Sequence, residues 1–347
     1  MSTTEYLQDF NTIFELSCGH WKTSILRTIV SLGFLDIIEE KANKGPVLAT
    51  EVASLCETDK DFTYRVLRAA TTLGLVTEHQ TPQRSFTVAR LGCALLKNRQ
   101  NSARDIVLWE GSKELCKVWL ELETAVKTGK KVTDDVFGGD LFQFIARPNP
   151  ESRQFLKTFQ AAMTAGSNFE KSAILQSFDF SSYESICDIG AGEGTLLKAI
   201  LRKDAHLQGT ISDLPNVIEE TVIIEEDLRD RCRKESCDFF HSVPRSHDLY
   251  ILKRVLHDWD DDKSVQILKT VNDCSPSHAK LLLLDCVILD SDTSSVGKLM
   301  DLHMGICNNG KERTEEEWKK LLMNSGWNYL GLKNTTSHIC GIMANKD

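Results

Sequence analysis

Ile186-Cys-Asp-Ile-Gly-Ala-Gly-Glu-Gly-Thr195 is the stretch on which the reading of this chain turns. A short apolar run ends in glycines at 190, 192 and 194, and Thr195 then opens a segment with helical spacing. That pattern describes a buried strand turning sharply into a helix. Gly190 and Gly192 let the backbone come close to a ligand, and Gly194 permits tight packing of the helix that follows. A glycine turn alone is a weak signal, so its surroundings decide.

A dinucleotide fingerprint would place its third glycine at position 195, which is Thr195. The lysine and hydroxyl of a phosphate-binding loop are missing as well. Asp188 stands two residues ahead of the first glycine, and Asp213 ends the next apolar run about 20 residues on, where a carboxylate can grip ribose hydroxyls. Taken alone, Asp213 could equally cap the turn before Leu214-Pro215. An adenosine ligand without a pyrophosphate suits this set, and S-adenosylmethionine is such a ligand.

Further out, Ser185–Asp188, Gly209–Asp213, Asp248–Lys253 and Ala279–Val287 read as buried parallel strands. Helices fit between them, starting near Thr195, Asn216, Asp261 and Thr314. The runs Asn328–Lys333 and His338–Ala344 are joined by a short polar link, which demands an antiparallel pair. The expected fold is α/β, a doubly wound, mostly parallel Rossmann-like sheet with an antiparallel C-terminal edge, spanning residues 166–347.

Residues 1–165 are mainly helical. Trp21 to Ile38 carries apolar residues at helical spacing, with Gly33 as a break. Thr50 to Cys56 and Asp59 to Leu73 follow as helices, then a hairpin from Glu78 to Val88 with Pro82 at its turn. Helix, helix, two-stranded wing is the outline of a winged helix. Between Thr50 and Leu96 the basic residues Lys60, Arg65, Arg68, Arg84 and Arg90 are matched by Glu51, Glu57, Asp59, Asp61 and Glu78. Without a basic stripe, packing or dimerisation is a better expectation than nucleic-acid binding.

Composition agrees with a globular protein: 347 residues suit two domains, with 41% hydrophobic residues, 26% charged residues and a net charge of −9. The acidic balance argues against a partner held by bulk charge, whether nucleic acid or anionic membrane. Leu281 to Leu289, the longest apolar stretch, is interrupted by Asp285 and too short to span a bilayer. The N-terminus lacks a signal-peptide layout. Eleven scattered cysteines form no Cys-x-x-Cys pair, and no His/Cys/Asp set has ligand spacing along the chain. A reduced, cytoplasmic protein without a metal is expected.

Five blocks occur in order: Cys187-Asp-Ile-Gly-Ala-Gly-Glu-Gly, Ser212-Asp-Leu-Pro-Asn-Val-Ile, Cys237-Asp-Phe-Phe, Asp248-Leu-Tyr-Ile-Leu-Lys-Arg-Val-Leu-His-Asp-Trp-Asp-Asp and Gly310-Lys-Glu-Arg-Thr. Together they resemble the metal-independent, S-adenosylmethionine-dependent O-methyltransferases of small aromatic hydroxyls, the family of the plant caffeic-acid-type and animal acetylserotonin enzymes. The resemblance covers nearly the whole chain. It implies S-adenosyl-L-methionine as methyl donor, S-adenosyl-L-homocysteine as product, a small phenolic or hydroxyindole substrate, and a homodimer formed through the first domain. By the same resemblance Gly190 and Gly192 would lie under the methionine part of the cofactor and Asp213 would hold the ribose. Asp238 would accept from the adenine amino group, with Phe239 on the ring. Lys253 or Arg254 would contact the cofactor, and Met163 would supply an apolar wall near cofactor and substrate. His257 would be the general base, flanked by Asp285 and Glu312.

The chain departs from the family in places. Asp285 stands where the family usually has Glu, one methylene longer. His303 replaces an asparagine that lines the substrate pocket of the animal enzyme, and Cys237 replaces a usual Gly. Asp258 can orient the imidazole of His257 or, with Asp260 to Asp262, cap the next helix. Glu312 precedes the expected cap Thr314 and so can turn back toward the base, whereas Glu315 to Glu317 read as a solvated first turn. The pocket walls are expected among Trp109, Phe142, Phe155, Phe159, Met163, His303, Met304 and Cys307.

The chemistry sets magnitudes. Methyl transfer is an in-line displacement, for which orientation supplies roughly 7–11 kcal/mol. A phenol of pKa near 10 is about one part in a thousand ionised at neutral pH, and a positioned His adds about 10²–10⁴-fold. Two other readings stay open: the same fold and cofactor site serving a different reaction or none, and a regulatory protein using its winged helix on DNA or a partner.

Overall fold

Gly33, at φ 71°, ends the helix Gly19–Leu32 and lets the chain restart as Phe34–Lys41 in the computed structural model, which describes residues 3–139, 141–145, 147–289 and 296–346. Two compact units result: Met1–Lys117 with Pro148–Gly166, and Val118–Arg147 with Ser167–Asp347.

In the first unit, helix Ala49–Leu55 is followed by Lys60–Thr71, whose first turn is capped by Asp59 accepting from the Phe62 N–H at 2.8 Å. Strand β1 (Val47–Leu48) pairs with β3 (Ser85–Val88), which pairs antiparallel with β2 (Val76–His79). This is the winged-helix outline expected of the sequence. Its core gathers Ile29, Phe34, Ile38, Leu67 and Phe86. Trp109 packs against Phe155 and Phe159, with ring centroids 4.7 and 5.1 Å away.

The second unit is built on one sheet. Strands β4 (Ser185–Ile189), β5 (Gln208–Asp213), β6 (Cys232–Ser236), β7 (Leu249–Lys253) and β8 (Lys280–Ile288) run parallel in the spatial order β6-β5-β4-β7-β8. The two-residue strand β9 (Arg313–Thr314) adds in parallel to the end of β8. Strands β10 (Asn328–Asn334) and β11 (Ile339–Asn345) form the antiparallel hairpin, and β11 also pairs antiparallel with β8. Alternate residues serve opposite layers. Ile186, Ile211, Leu249 and Ile251 pack toward the helix Thr195–Lys203, while Cys187, Ile189, Tyr250 and Leu252 pack toward Ile267, Trp318 and Trp327.

From β4 the chain winds outward through β5 and β6, then returns to place β7 on the other side of β4. The carboxyl ends of β4 and β7 therefore flank the switch in winding direction, where open α/β sheets form their ligand crevice. Residues 118–147 fold with this sheet: Val132 N–H donates to the Ile306 carbonyl at 3.0 Å, and the Thr133 hydroxyl to that of Cys307 at 2.9 Å.

Candidate active site

Beyond β4 the glycine turn is tied to the end of β5. The N–H groups of Gly190 and Ala191 donate to the Ser212 carbonyl at 2.8 and 3.2 Å. Asp213 accepts from the Gly192 N–H at 2.8 Å through Oδ2 and from the Leu214 N–H at 2.7 Å through Oδ1. Its carboxylate thus pins the turn and caps its own strand end, and each oxygen retains acceptor capacity. A Cβ on Gly192 would meet nothing within 4 Å, so the backbone there borders open space. A Cβ on Gly190 would stand 2.7 Å from Val255 Cγ2 and 3.9 Å from Phe239 Cε1, which brings the Phe239 ring beside the turn. Asp238 Oδ1 accepts from the Phe240 N–H at 3.0 Å; this bond, outweighing the effect of burial and helped by His241, holds its carboxyl below the ordinary range. Burial pushes Asp188 up to about 7, opposed by Lys253 and reinforced by Asp213.

Past β7, Arg254 takes a left-handed backbone (φ 57°) and the chain coils into the short turn Leu256–Asp258. His257 is buried on this turn. Its Nδ1 lies 3.0 Å from Glu312 Oε1 and 3.6 Å from Asp285 Oδ1, while Nε2 lies 3.9 Å from Asp258 Oδ1. A carboxylate can only accept, so Nδ1 carries the proton and Nε2 presents its lone pair. Burial alone would depress the imidazole pKa, yet Asp285, Glu312 and Asp258 together raise it above 6.5. Asp285 is pushed up to about 7 by burial, with the Glu312 charge adding and the His257 charge opposing. Its Oδ1 has no hydrogen-bond partner, so the shorter side chain stops short of His257.

Asp258 does not cap the helix that follows. Asp260 does, accepting from Lys263 N–H at 2.9 Å, whereas Asp258 accepts from the Asn308 amide at 3.2 Å. Glu317 is not merely solvated: it closes a capping box with Thr314. Glu312 reaches the imidazole because Gly310 passes against the His257 turn; a Cβ there would fall 2.0 Å from the His257 carbonyl oxygen, which accepts from the Lys311 N–H at 2.9 Å. The Glu312 N–H is held in turn by Asp301 at 3.0 Å.

Lys253 points to Glu170 at 3.0 Å and Ser167 at 3.2 Å. Glu170, absent from the sequence expectations, is buried, and Arg254 and His338 approach it at 3.9 and 3.3 Å. Burial would raise its pKa, but His338, Lys253 and Arg254 bring it down to about 2. No local pattern marked it in the sequence, since its partner Lys253 lies 83 positions away. His303 Nδ1 accepts from the Trp119 indole N–H at 3.3 Å, and the rings stack. Burial, with Arg254 and His257 nearby, lowers its pKa to about 4, so it is neutral. Met304 and Cys307 are buried in the same unit. Met163 belongs to the first unit and is 42% exposed. The side chain of Phe142 lies outside the described residues.

Chain spacing reveals no metal ligands, yet the fold gathers His257, Asp285 and Glu312 with ligand atoms within 4.8 Å of one another. In this cluster the Nδ1 proton bridges to Glu312, so a cation would have to displace it.

The family profile described as O-methyltransferase domain matches residues 119–328, and that of the O-methyltransferase dimerisation domain matches residues 14–98. The phenazine O-methyltransferase PhzM of Lysobacter antibioticus is 31% identical, covering 91% of this chain and 90% of its own length. The O-demethylpuromycin-O-methyltransferase of Streptomyces alboniger is 32% identical, covering 91% and 83%. The crystal structure of CalO1, a methyltransferase in calicheamicin biosynthesis in its SAH-bound form, superposes with a TM-score of 0.89 at 25% identity over the whole of both chains. With the domain profile spanning more than half of its length and such relatives along nearly all of it, the chain belongs to the family of S-adenosylmethionine-dependent O-methyltransferases.

Proposed function

We propose that this enzyme transfers the methyl group to a hydroxyl of a small aromatic molecule, phenolic or hydroxyindole, with His257 as general base. The observation that carries the assignment is the 3.0 Å contact from His257 Nδ1 to Glu312, which leaves Nε2 as the free lone pair. The relatives named for phenazine and O-demethylpuromycin methylation, and one named for 3-amino-4-hydroxybenzoate, support an aromatic acceptor.

The residues at the glycine turn fit the donor. The open space at Gly192, the remaining acceptor capacity of Asp213 and the Phe239 ring beside Gly190 suit a nucleoside that needs no pyrophosphate site. Gly190, Gly192, Asp213, Asp238 and Phe239 would hold it, with Arg254 as a further contact. Lys253, engaged by Glu170, would act by keeping the end of β7 in place. When bound, S-adenosylmethionine supplies a methyl carbon activated by a sulfonium leaving group.

The chain's own residues do the rest. His257 Nε2 takes the hydroxyl proton as the acceptor oxygen becomes nucleophilic. Glu312 and the nearby Asp285 stabilise the imidazolium that forms, and Asp258 faces the same ring from the Nε2 side. Nothing in this sequence of proton movements calls on a metal, so turnover is expected to survive chelation by EDTA.

Methyl-labelled donor incubated with phenols, hydroxyindoles and amines, followed by mass analysis, tests the assignment. Label should appear on oxygen, and His257→Ala should lose about 10²–10⁴-fold in turnover with donor affinity retained. Wild-type turnover in that variant would remove His257 from the role, and label only on nitrogen would change the acceptor class.

A further inference from the structure

Arg313 is the most deeply buried cation of the second unit, with no exposed surface. It leaves the sheet at β9, paired with Val287, and lies across Trp318 at 5.2 Å. Its guanidinium makes four hydrogen bonds. Nη1 donates to the Leu256 carbonyl at 3.0 Å, and Nη2 donates to the Trp259 carbonyl at 2.8 Å and to the Ser264 hydroxyl at 3.1 Å. Nε donates to Asp261 at 2.9 Å.

Those two carbonyls bracket His257. The first belongs to the residue before it and the second to the residue two beyond. A buried charge of this kind is costly unless it is paired and hydrogen-bonded, and here a planar fork meets both ends of one short turn. Ser264 adds to the same contact set, its hydroxyl lying 3.3 Å from the Leu256 carbonyl and 3.4 Å from that of Trp259. The neighbouring residues of the same segment hold the His257 carbonyl (Lys311 N–H) and imidazole (Glu312).

We infer that Arg313 is a positioning residue for His257: its guanidinium fixes the backbone of the Leu256–Trp259 turn, so that the hydrogen bond to Glu312 and the direction of Nε2 are set before substrate arrives. This rests on His257 being the base. Preorganised groups of this kind matter because a misplacement of about 1 Å can cost about 10²-fold in rate.

Arg313→Lys keeps the charge but cannot span two carbonyls. It should lower kcat by about 10- to 100-fold while leaving donor affinity by calorimetry unchanged. The same substitution placed in His257→Ala should cause no further loss of the residual transfer, followed with labelled donor over long incubations. A structural role would cost equally in both backgrounds, so additive losses overturn the inference, as does wild-type kcat in Arg313→Lys. Should that variant fail to fold, Ser264→Ala takes its place: a kcat loss that vanishes without His257 supports the role, and unchanged kcat refutes it. Wild-type turnover in His257→Ala alone would instead defeat the base assignment, whatever Arg313 does.

Discussion

At the scale of the residue, the site depends on charges placed out of water. His257 is buried, which should favour neutrality, yet the acids around it lift its pKa above 6.5. In its proposed role as base His257 must be neutral to accept a proton, so activity should be lost as pH falls through that raised value. The acid limb of kcat/KM is therefore expected above pH 6.5. Glu312→Gln removes the carboxylate that favours the imidazolium, so the limb should move to lower pH while the plateau falls; an unmoved limb would separate Glu312 from the base. His257, Asp285 and Glu312 were readable in the sequence through family resemblance. The longer-range pairings around them were not. Glu170 lies 83 positions from Lys253, and Arg313 lies 57 from Leu256. Pairings of that separation are settled by the sheet, not by local pattern. The same holds for Asp258, whose choice of Asn308 over the helix end depended on where helix Val296–Asn308 came to rest.

Elements followed the sequence where burial set the pattern. Of strands β4 to β8, four are buried along most of their length, and each was legible. The exception, β6, reads Cys-Arg-Lys-Glu-Ser, with only Cys232 buried. It lies at the sheet margin, where polar residues are tolerated and hydrophobic period carries no signal. The glycine turn separates two demands within one element. Gly194, at φ 72°, would place a Cβ 2.2 Å from Ile211 Cδ1, whereas Gly192, at φ 56°, would place one in open space. Gly194→Ala should therefore destabilise the fold by about 1–3 kcal/mol in denaturant unfolding. Gly192→Ala should cost roughly 1–2 kcal/mol of backbone strain but weaken donor binding by calorimetry far more than Gly194→Ala does. Equal donor affinity in Gly192→Ala and wild type would mean that the space above the turn is not where the donor lies.

For the whole molecule, the first unit carries the family's dimerisation domain. On helix Thr3–Ser17, Phe10, Ile13 and Phe14 are 57%, 65% and 55% exposed. Apolar side chains grouped this way mark a contact surface. Light scattering should report twice the chain mass, and Phe14→Asp should shift it toward one chain; a wild-type monomer would contradict the dimer. Among the described residues no helix is long and apolar enough to cross a membrane.

Strand β11 is inserted between β10 and β8 although it follows both in sequence. Seven of its residues pair with β8, and most are buried. Without β11 in place, β8 and β10 would each present a bare row of amide and carbonyl groups beside apolar side chains. Until β11 seats between them, two sheet edges therefore stand open to pairing with another chain.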